Sequence, residues 1–390
     1  MCRFGEIFKG VGTLTSRCDD FVAREFPLVD QVTYLNNAAQ CPAPRRTVQE
    51  LQRWAGRLMH AHRPPDVQKQ LQSARESLAE LINADSSEIA FISNTSEGVG
   101  LAASSLPLNP GDRVLVPEPE HPSLVLPWLN LHPLGVEVDR MSWSGSGFRE
   151  DDLLAAVGER TRVVALSHVQ WLNGFVSDLA HIGRFCRERD IFLVVDGIQS
   201  LGVMPVDVCE CDISVLAAGG SKWLMGGRGN GCLYVRADVA RRMRPPLVGR
   251  HGICEVSEAG DLCLYLDARR FQTGAWNLPA VSALQTSVEL LLGSGVDWVY
   301  RRARKLAHRL ELGVADLGLC RTSPSGNENR SPIVSFTTGD LARDIRLVGE
   351  LERRDIYVSL RDRGIRAGCH FFNRTRDVDR ILEVLDDFSW

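Results

Sequence analysis

The 390-residue chain reads as an α/β protein, with a large domain on a mainly parallel sheet and a smaller α+β domain after it. Three observations predict this. Short apolar runs alternate with helical patterns between residues 88 and 236, as in βαβ units whose strands are buried on both faces. From about residue 265 the pattern changes to long amphipathic helices around one apolar strand. The length also exceeds what one simple core holds.

The elements follow in order. Residues 45–82 read as two helices broken at "HRPPD", because Pro64 and Pro65 stop a helix and Asp66 caps the next. "EIAFIS" (88–93) is a short strand, and "NTSEG" then opens the apolar helical run "VGLAASSL". Further buried strands are "DRVLVPE" (112–118), "RVVALSHV" (162–169), "IFLVVD" (191–196), "DISVLAA" (212–218) and "GCLYVR" (231–236). The amphipathic "LAHIGRFCRER" (179–189) precedes the third of these. The later region contributes the helix "VDWVYRRARKLAHRLELGVADLG", the strand "PIVSFTT", the helix "LARDIRLVGELERRD" and a closing helix "TRDVDRILEVLDDF". The expected division is an N-terminal arm (1–30) packing on the small domain, a large domain (31–265) and a small domain (266–390).

A hydrophobic fraction of 44% and a charged fraction of 24% are ordinary for a soluble globular protein. The formal net charge of −4 gives no reason to expect nucleic acid or an anionic membrane as partner. No apolar run reaches the roughly 18 residues of a membrane span, and "MCRFGEIFKGVGTL" lacks a signal-peptide core. A cytoplasmic protein is expected. The eleven cysteines are scattered, and Cys209 and Cys211 form C-x-C without a matching cluster, so reduced thiols are expected and no metal site.

Ligands of an open α/β sheet collect beyond the carboxyl ends of its strands. The polar residues there are Thr95 and Ser96, Glu120 and His121, His168 and Gln170, Asp196 and Gln199, then Ser221 and Lys222. "NTSEG" offers two hydroxyls and backbone N–H groups at a helix start, which suits phosphate or an ordinary cap. Asp196 has no cation beside it in sequence; a buried carboxylate needs a partner, which a protonated ring nitrogen or a loop backbone supplies. Lys222 is one of only four lysines against forty-one arginines, and it sits among glycines in "GGSKWLMGGRGNG". Its residue type fits a phosphate clamp, a surface charge, or a desolvated nucleophile able to form a Schiff base. "GGRGNG" follows the lysine turn and leads into a strand, which is wrong for a dinucleotide fingerprint. Together, a phosphate site, an aspartate for a ring nitrogen, a stacking histidine and a lysine are the parts of a pyridoxal phosphate site.

With these residues on the page, the chain resembles the class V aminotransferase family of fold type I pyridoxal-phosphate enzymes. That group includes cysteine desulfurases, cystine C–S lyases and isopenicillin N epimerase-like proteins. The similarity runs over roughly residues 30–388, through "YLNNAA", "NTSEG", "EHPS", "SHVQWLNGFVSDLAHIG", "VVDGIQSLGVMPVDV", "GGSKWLMGGRGNGCLYV", "RRFQTGAWN" and "IRAGCHFFNRTRDVDRIL". The resemblance implies a fold type I transferase whose large domain carries a seven-stranded, mainly parallel sheet, and a homodimer with sites near the subunit interface. It implies that Lys222 carries the cofactor and acts as acid and base at Cα. Asp196 would hold the pyridinium nitrogen, His121 stack on the ring, and Gln199 reach the phenolic oxygen. Thr95, Ser96 and Ser221 would bind phosphate, and Arg366 would clamp the substrate carboxylate. Asn37 and Asn173 would line the substrate pocket, and the glycines around Lys222 would make room for the cofactor.

The departures from the pattern carry information. Ser221 stands where relatives often have histidine. In "RRFQTGAWN", Ala275 replaces the usual threonine that touches phosphate across a dimer interface, and Gln272 replaces glutamate. The desulfurase pattern R-x-G-H-H-C would put its persulfide cysteine at position 371, which is Phe371 here. Cys369 falls where cystine-lyase-like relatives can carry a cysteine. The expected reaction is therefore β-elimination from a cysteine S-conjugate to thiol, pyruvate and ammonia. Transamination is the runner-up, desulfuration or epimerisation follow, and a regulatory protein that retains the fold is the non-enzymatic alternative. Trp128, Trp171, Trp276 and Phe371 fit either an apolar substrate pocket or core and interface positions.

Overall fold

A computed structural model of the chain describes residues 14–388, apart from 61, 63, 64, 144, 325–329 and 363. Lys9 and the first part of the arm lie outside the described residues. Fifteen strands occur among them: β1 (Thr33–Tyr34), β2 (Ile89–Phe91), β3 (Arg113–Glu118), β4 (Glu137–Ser142), β5 (Thr161–Ser167), β6 (Phe192–Asp196), β7 (Val215–Gly219) and β8 (Gly231–Val235), then β9 (Ile253–Val256), β10 (Leu262–Leu264), β11 (Cys320–Arg321), β12 (Ile333–Thr337), β13 (Ile356–Tyr357), β14 (Ser359–Arg361) and β15 (Gly364–Gly368).

The large sheet has seven strands in the order β2-β8-β7-β6-β5-β3-β4. Neighbours from β7 to β4 pair in parallel, whereas β8 runs antiparallel to both β7 and β2. The carboxyl ends of β2, β3, β5, β6 and β7 therefore open on one edge. β6 and β7 are buried along their whole length, which explains their unbroken apolar sequences. Their side chains alternate between two cores: Leu193, Val195 and Leu216 on one face, Phe192, Val194, Val215 and Ala217 on the other. By the same alternation Asp196 shares the face of Val194, which the helix Thr95–Ser105 covers through Val99, Ala102 and Ala103.

β4 has no counterpart in the sequence reading. Its sequence EVDRMS is charged and partly exposed because it is an edge strand, held by Arg113 against Glu137 and Asp139. The small domain is an antiparallel sheet, β11-β12-β15-β14, packed on the helices Val296–Asp316, Leu341–Arg353 and Thr375–Asp387. Leu310, Phe336, Leu347, Ile365 and Ile381 form its core. β1 adds in parallel to β13, so the chain's early residues join the small domain. The packing does not follow the expected boundary at 266. The helix Leu278–Ser294 places Leu284, Val288 and Leu291 in the large core, against the helices Arg45–Leu58 and Val67–Ile82. Among the described residues no helix is long and apolar enough to cross a membrane.

An aromatic cluster joins the two ends of the chain. Phe26 stacks on Phe372 with ring centroids 4.3 Å apart and meets Phe371 edge-on at 5.6 Å. Trp298 and His370 also touch Phe371, which is fully buried. Phe371→Ala is expected to cost about 3–5 kcal/mol, the range for truncating a buried aromatic. Equilibrium urea unfolding checks this; an unchanged midpoint would contradict the role given to the cluster.

Candidate active site

Lys222 lies three residues past β7, in a turn held from several sides. Asn230 donates to Gly226 O (2.7 Å) and Ala280 O (3.1 Å), while Gly220 N bonds Asn230 O at 2.8 Å. Met225 N bonds Lys222 O (2.8 Å), and Ser287 Oγ donates to Met225 O (3.0 Å). Trp223 Nε1 donates to Gln199 Oε1 (2.7 Å), and His370 Nε2 lies 3.1 Å from Trp223 O. Two of the glycines are required by this packing: a Cβ on Gly220 would sit 1.9 Å from Asn230 Oδ1, and one on Gly226 would sit 2.8 Å from Leu284. No hydrogen bond to Lys222 Nζ is found among the described residues. Burial pulls its pKa down to about 8, Asp196 opposes that fall, and Arg366 and Arg361 add to it.

Asp196 ends β6, paired with Ser167 on one side and Ala217 on the other. It is 2% exposed and accepts a hydrogen bond from Ile198 N at 2.9 Å. Burial pushes it up to about 6, against the pull of the Ile198 N–H and Lys222. Beside it Glu120, raised to about 7 chiefly by burial, accepts Ser167 N (2.8 Å), Ser167 Oγ (2.6 Å) and His121 N (3.1 Å). These bonds fix the backbone that presents His121. The histidine caps the helix Pro122–Leu129, accepting Ser123 N on Nδ1 at 3.2 Å, and its ring meets Trp171 edge-on at 5.3 Å. Burial, and then the cations Lys222, Arg366 and Arg361, lower it to about 4, so the ring is neutral.

Thr95 and Ser96 begin a helix capped by Asn94, with Thr95 Oγ1 accepting Gly219 N at 3.0 Å and Ser96 Oγ bonding Ser123 Oγ at 2.8 Å. Backbone donors and hydroxyls thus gather at one helix N-terminus, next to the end of β7. Ser221 O receives Cys41 N at 3.1 Å. Gln199 donates to Ala38 O (3.0 Å) and accepts from Trp223, so it also ties three segments together.

Arg366, on β15, is the buried cation of the site. It is 2% exposed, donates to Trp171 O, and leaves its Nε without a partner. Burial brings its pKa to about 9, with Arg361 adding to the fall. Arg361 was not singled out from the sequence. The pairing of β14 with β15 places it near Lys222 and His121, and a lone arginine among forty-one carries no signal of that. Cys41 was missed too: fully buried, it bonds Asn37 through Sγ (3.5 Å to Oδ1) and feels the charge of Lys222.

Asn37 donates to Gly368 O (2.8 Å) and Asn373 Oδ1 (3.0 Å); Asn173 donates to Ser146 O (3.0 Å) and accepts from Phe175 N (3.1 Å). Both amides are engaged within the protein, so they position backbone beside the pocket. Cys369 and Phe371 lie in buried cores, Cys369 near Asp377, Arg304 and Glu311 rather than Lys222. Trp128 is likewise a core residue, leaving Trp171 as the aromatic beside His121. Ala275, Gln272 and Trp276 line a separate cavity of about 220 Å³ with Ser93, Glu97 and Asn230. His168 faces a different groove, near Ser177 and Asp207.

This edge of the fold brings together a buried lysine, a buried carboxylate and a helix N-terminus rich in hydroxyls, which suits a phosphorylated, aldehyde-bearing cofactor. The chain belongs to the aminotransferase class-V family, whose description matches residues 33–380. A probable cysteine desulfurase of Methanothermobacter thermautotrophicus is 29% identical, with 94% of this chain and 97% of that protein aligned. The cystine C-S lyase C-DES, solved with its reaction product cysteine persulfide, is 25% identical with a TM-score of 0.86, covering 93% of this chain and 99% of that one. C-DES has also been solved with glycine covalently linked to its PLP cofactor, at 25% identity and a TM-score of 0.87, over 94% of this chain and 99% of that one. The protein is a fold type I enzyme dependent on pyridoxal phosphate. The residues fit that group: Asp196 is a buried carboxylate short of partners, Lys222 Nζ is desolvated, and hydroxyls gather at a helix N-terminus.

An amine adds to an aldehyde only when unprotonated. The visible absorbance that develops when apoprotein meets pyridoxal phosphate is therefore expected to rise with pH, with a midpoint near about 8, and to vanish in Lys222→Ala. Arg361→Gln removes a cation that favours the free amine, so the midpoint should move up. A downward or absent shift would contradict the coupling.

Proposed function

We propose that the enzyme is a C–S β-lyase that cleaves a cysteine S-conjugate to thiol, pyruvate and ammonia. The observation that carries this is the burial of Cys369 and Phe371. No thiol in that stretch reaches the site to accept sulfur, so the sulfur leaves in a soluble product. Cys41 is near Lys222, but full burial pushes its thiol well up, so it stays protonated and a poor nucleophile. The likeness to C-DES over most of both chains supports the same reading.

Bound pyridoxal phosphate supplies the electron sink that makes the substrate Cα acidic. The chain's residues do the rest. Arg366, with free guanidinium capacity, binds the substrate carboxylate through a bidentate contact. Lys222, whose burial brings the free amine within reach just above neutral pH, removes the Cα proton and returns protons later. With the cofactor bound, Asp196 would keep a proton on the ring nitrogen, neutral His121 would cover the ring, and Gln199 would serve the phenolic oxygen. Thr95, Ser96 and Ser221 would hold the phosphate. The C–S bond breaks toward sulfur, which leaves with its electron pair and takes up a proton; water converts the remainder to pyruvate and ammonia. The active form is read as a homodimer, on the resemblance of the chain to the class V family.

The assay is incubation of holoenzyme with cysteine S-conjugates and with cystine, scoring pyruvate, released thiol or persulfide, and protein-bound sulfur. Pyruvate and soluble sulfur product in equal amounts are expected. Stoichiometric conversion of the cofactor to its amine form without thiol would establish transamination instead, and sulfur retained on a cysteine would establish desulfuration. Arg366→Gln is expected to lower kcat/KM about 100-fold, close to 2.7 kcal/mol at the transition state, while the cofactor's visible band persists.

A further inference from the structure

Cys254 and Cys263 lie outside the site, on the exposed hairpin β9–β10. In the antiparallel pairing Cys263 faces Glu255 and Leu264 faces Ile253, so Cys254 is the extra residue of a bulge. The bulge turns its side chain onto the opposite strand. The two sulfurs are 2.7 Å apart, and Cys254 Sγ is 3.0 Å from Cys263 O. The other described cysteines show no sulfur–sulfur contact: Cys41, Cys186, Cys232 and Cys369 are buried singly, Cys211 is half-buried, and Cys209 and Cys320 are exposed. The contact of Cys254 also pushes the Cys263 thiol up, as for two sulfurs competing for a proton.

Neither core packing nor metal binding accounts for this pair. Both side chains face water, and among the described residues no group of three or more histidines, cysteines or carboxylates is placed to hold an ion. What remains is covalent sulfur chemistry. We propose that Cys254 and Cys263 form a thiol–disulfide exchange site for low-molecular-weight disulfides. One protein thiolate attacks a sulfur of the small disulfide, forming a mixed disulfide and expelling one small thiolate. The second protein thiolate then attacks the protein sulfur of that mixed disulfide and expels the other. Two protein thiols are oxidised to one disulfide, the small disulfide is reduced to two thiols, and the two protons pass to the small thiolates.

The test uses full-length holoenzyme and oxidised glutathione as the probe, followed by alkylation and peptide mass spectrometry. The expected product is a peptide pair bridged between Cys254 and Cys263, lighter by two hydrogen atoms. It should exceed the mixed disulfide at these positions by at least about tenfold, because the resolving thiol acts intramolecularly. Cys254→Ser should instead trap a stable glutathione adduct on Cys263. Glutathione adducts without a bridge in the wild-type chain, or oxidation no faster than at Cys209 and Cys320, would overturn the proposal.

Discussion

The site depends on the burial of one ammonium group. Taking a lysine out of water costs several kcal/mol, and at Lys222 that penalty is offset only in part by Asp196. Arg366 and Arg361 push further in the same direction, so the amine is held close to neutrality. Such a side chain has every reason to turn outward. What keeps it in place is the fixing of its loop on all sides, by Asn230, by Ser287, by the Gln199–Trp223 bond and by His370 of the small domain.

The sheet supplies the matching constraint on the acid. Parallel pairing of β5, β6 and β7 lines up Ser167, Asp196 and Ala217, which places the carboxylate at the middle of the sheet's edge with burial on both sides. Glu120 links this row to His121 through Ser167. The cation that completes the site comes from a different layer, since Arg366 is a residue of the small-domain sheet. A positive side chain from one domain and a negative one from the other thus face the same lysine. Their spacing depends on how the domains meet.

Much of this was legible in the sequence. The strands β5 to β8 are apolar because both of their faces are buried, and the motif residues at their ends are where a parallel sheet must put them. What was hidden was hidden for physical reasons. β4 looks like a surface segment because one edge of it is one: Val138 and Met141 pack on the cores, but charged residues alternate with them and Glu137 and Asp139 pair with Arg113. Arg361 has no local signature; only the pairing of β14 with β15 gives it a role. Cys41 meets Ser221 through a contact spanning nearly half the chain, which no window of sequence contains. The helix Leu278–Ser294 packs on the large core, which its apolar sequence alone does not specify. The glycines around Lys222 were correctly marked as special, but their neighbours are Asn230 and Leu284.

The segment from β1 to Cys41 runs from the small domain to the lysine loop. β1 pairs with β13, Asn36 bridges to Gly368, Asn37 is tied to Asn373, and Cys41 N reaches Ser221. Every small-domain partner in that series is made more than three hundred residues later. During synthesis, this early segment is thus fixed only after the small-domain strands have been made. The large sheet can assemble while this strap is still loose. Closure of the lysine's surroundings then waits on the small-domain sheet, so the site is complete only once β13 to β15 are in place.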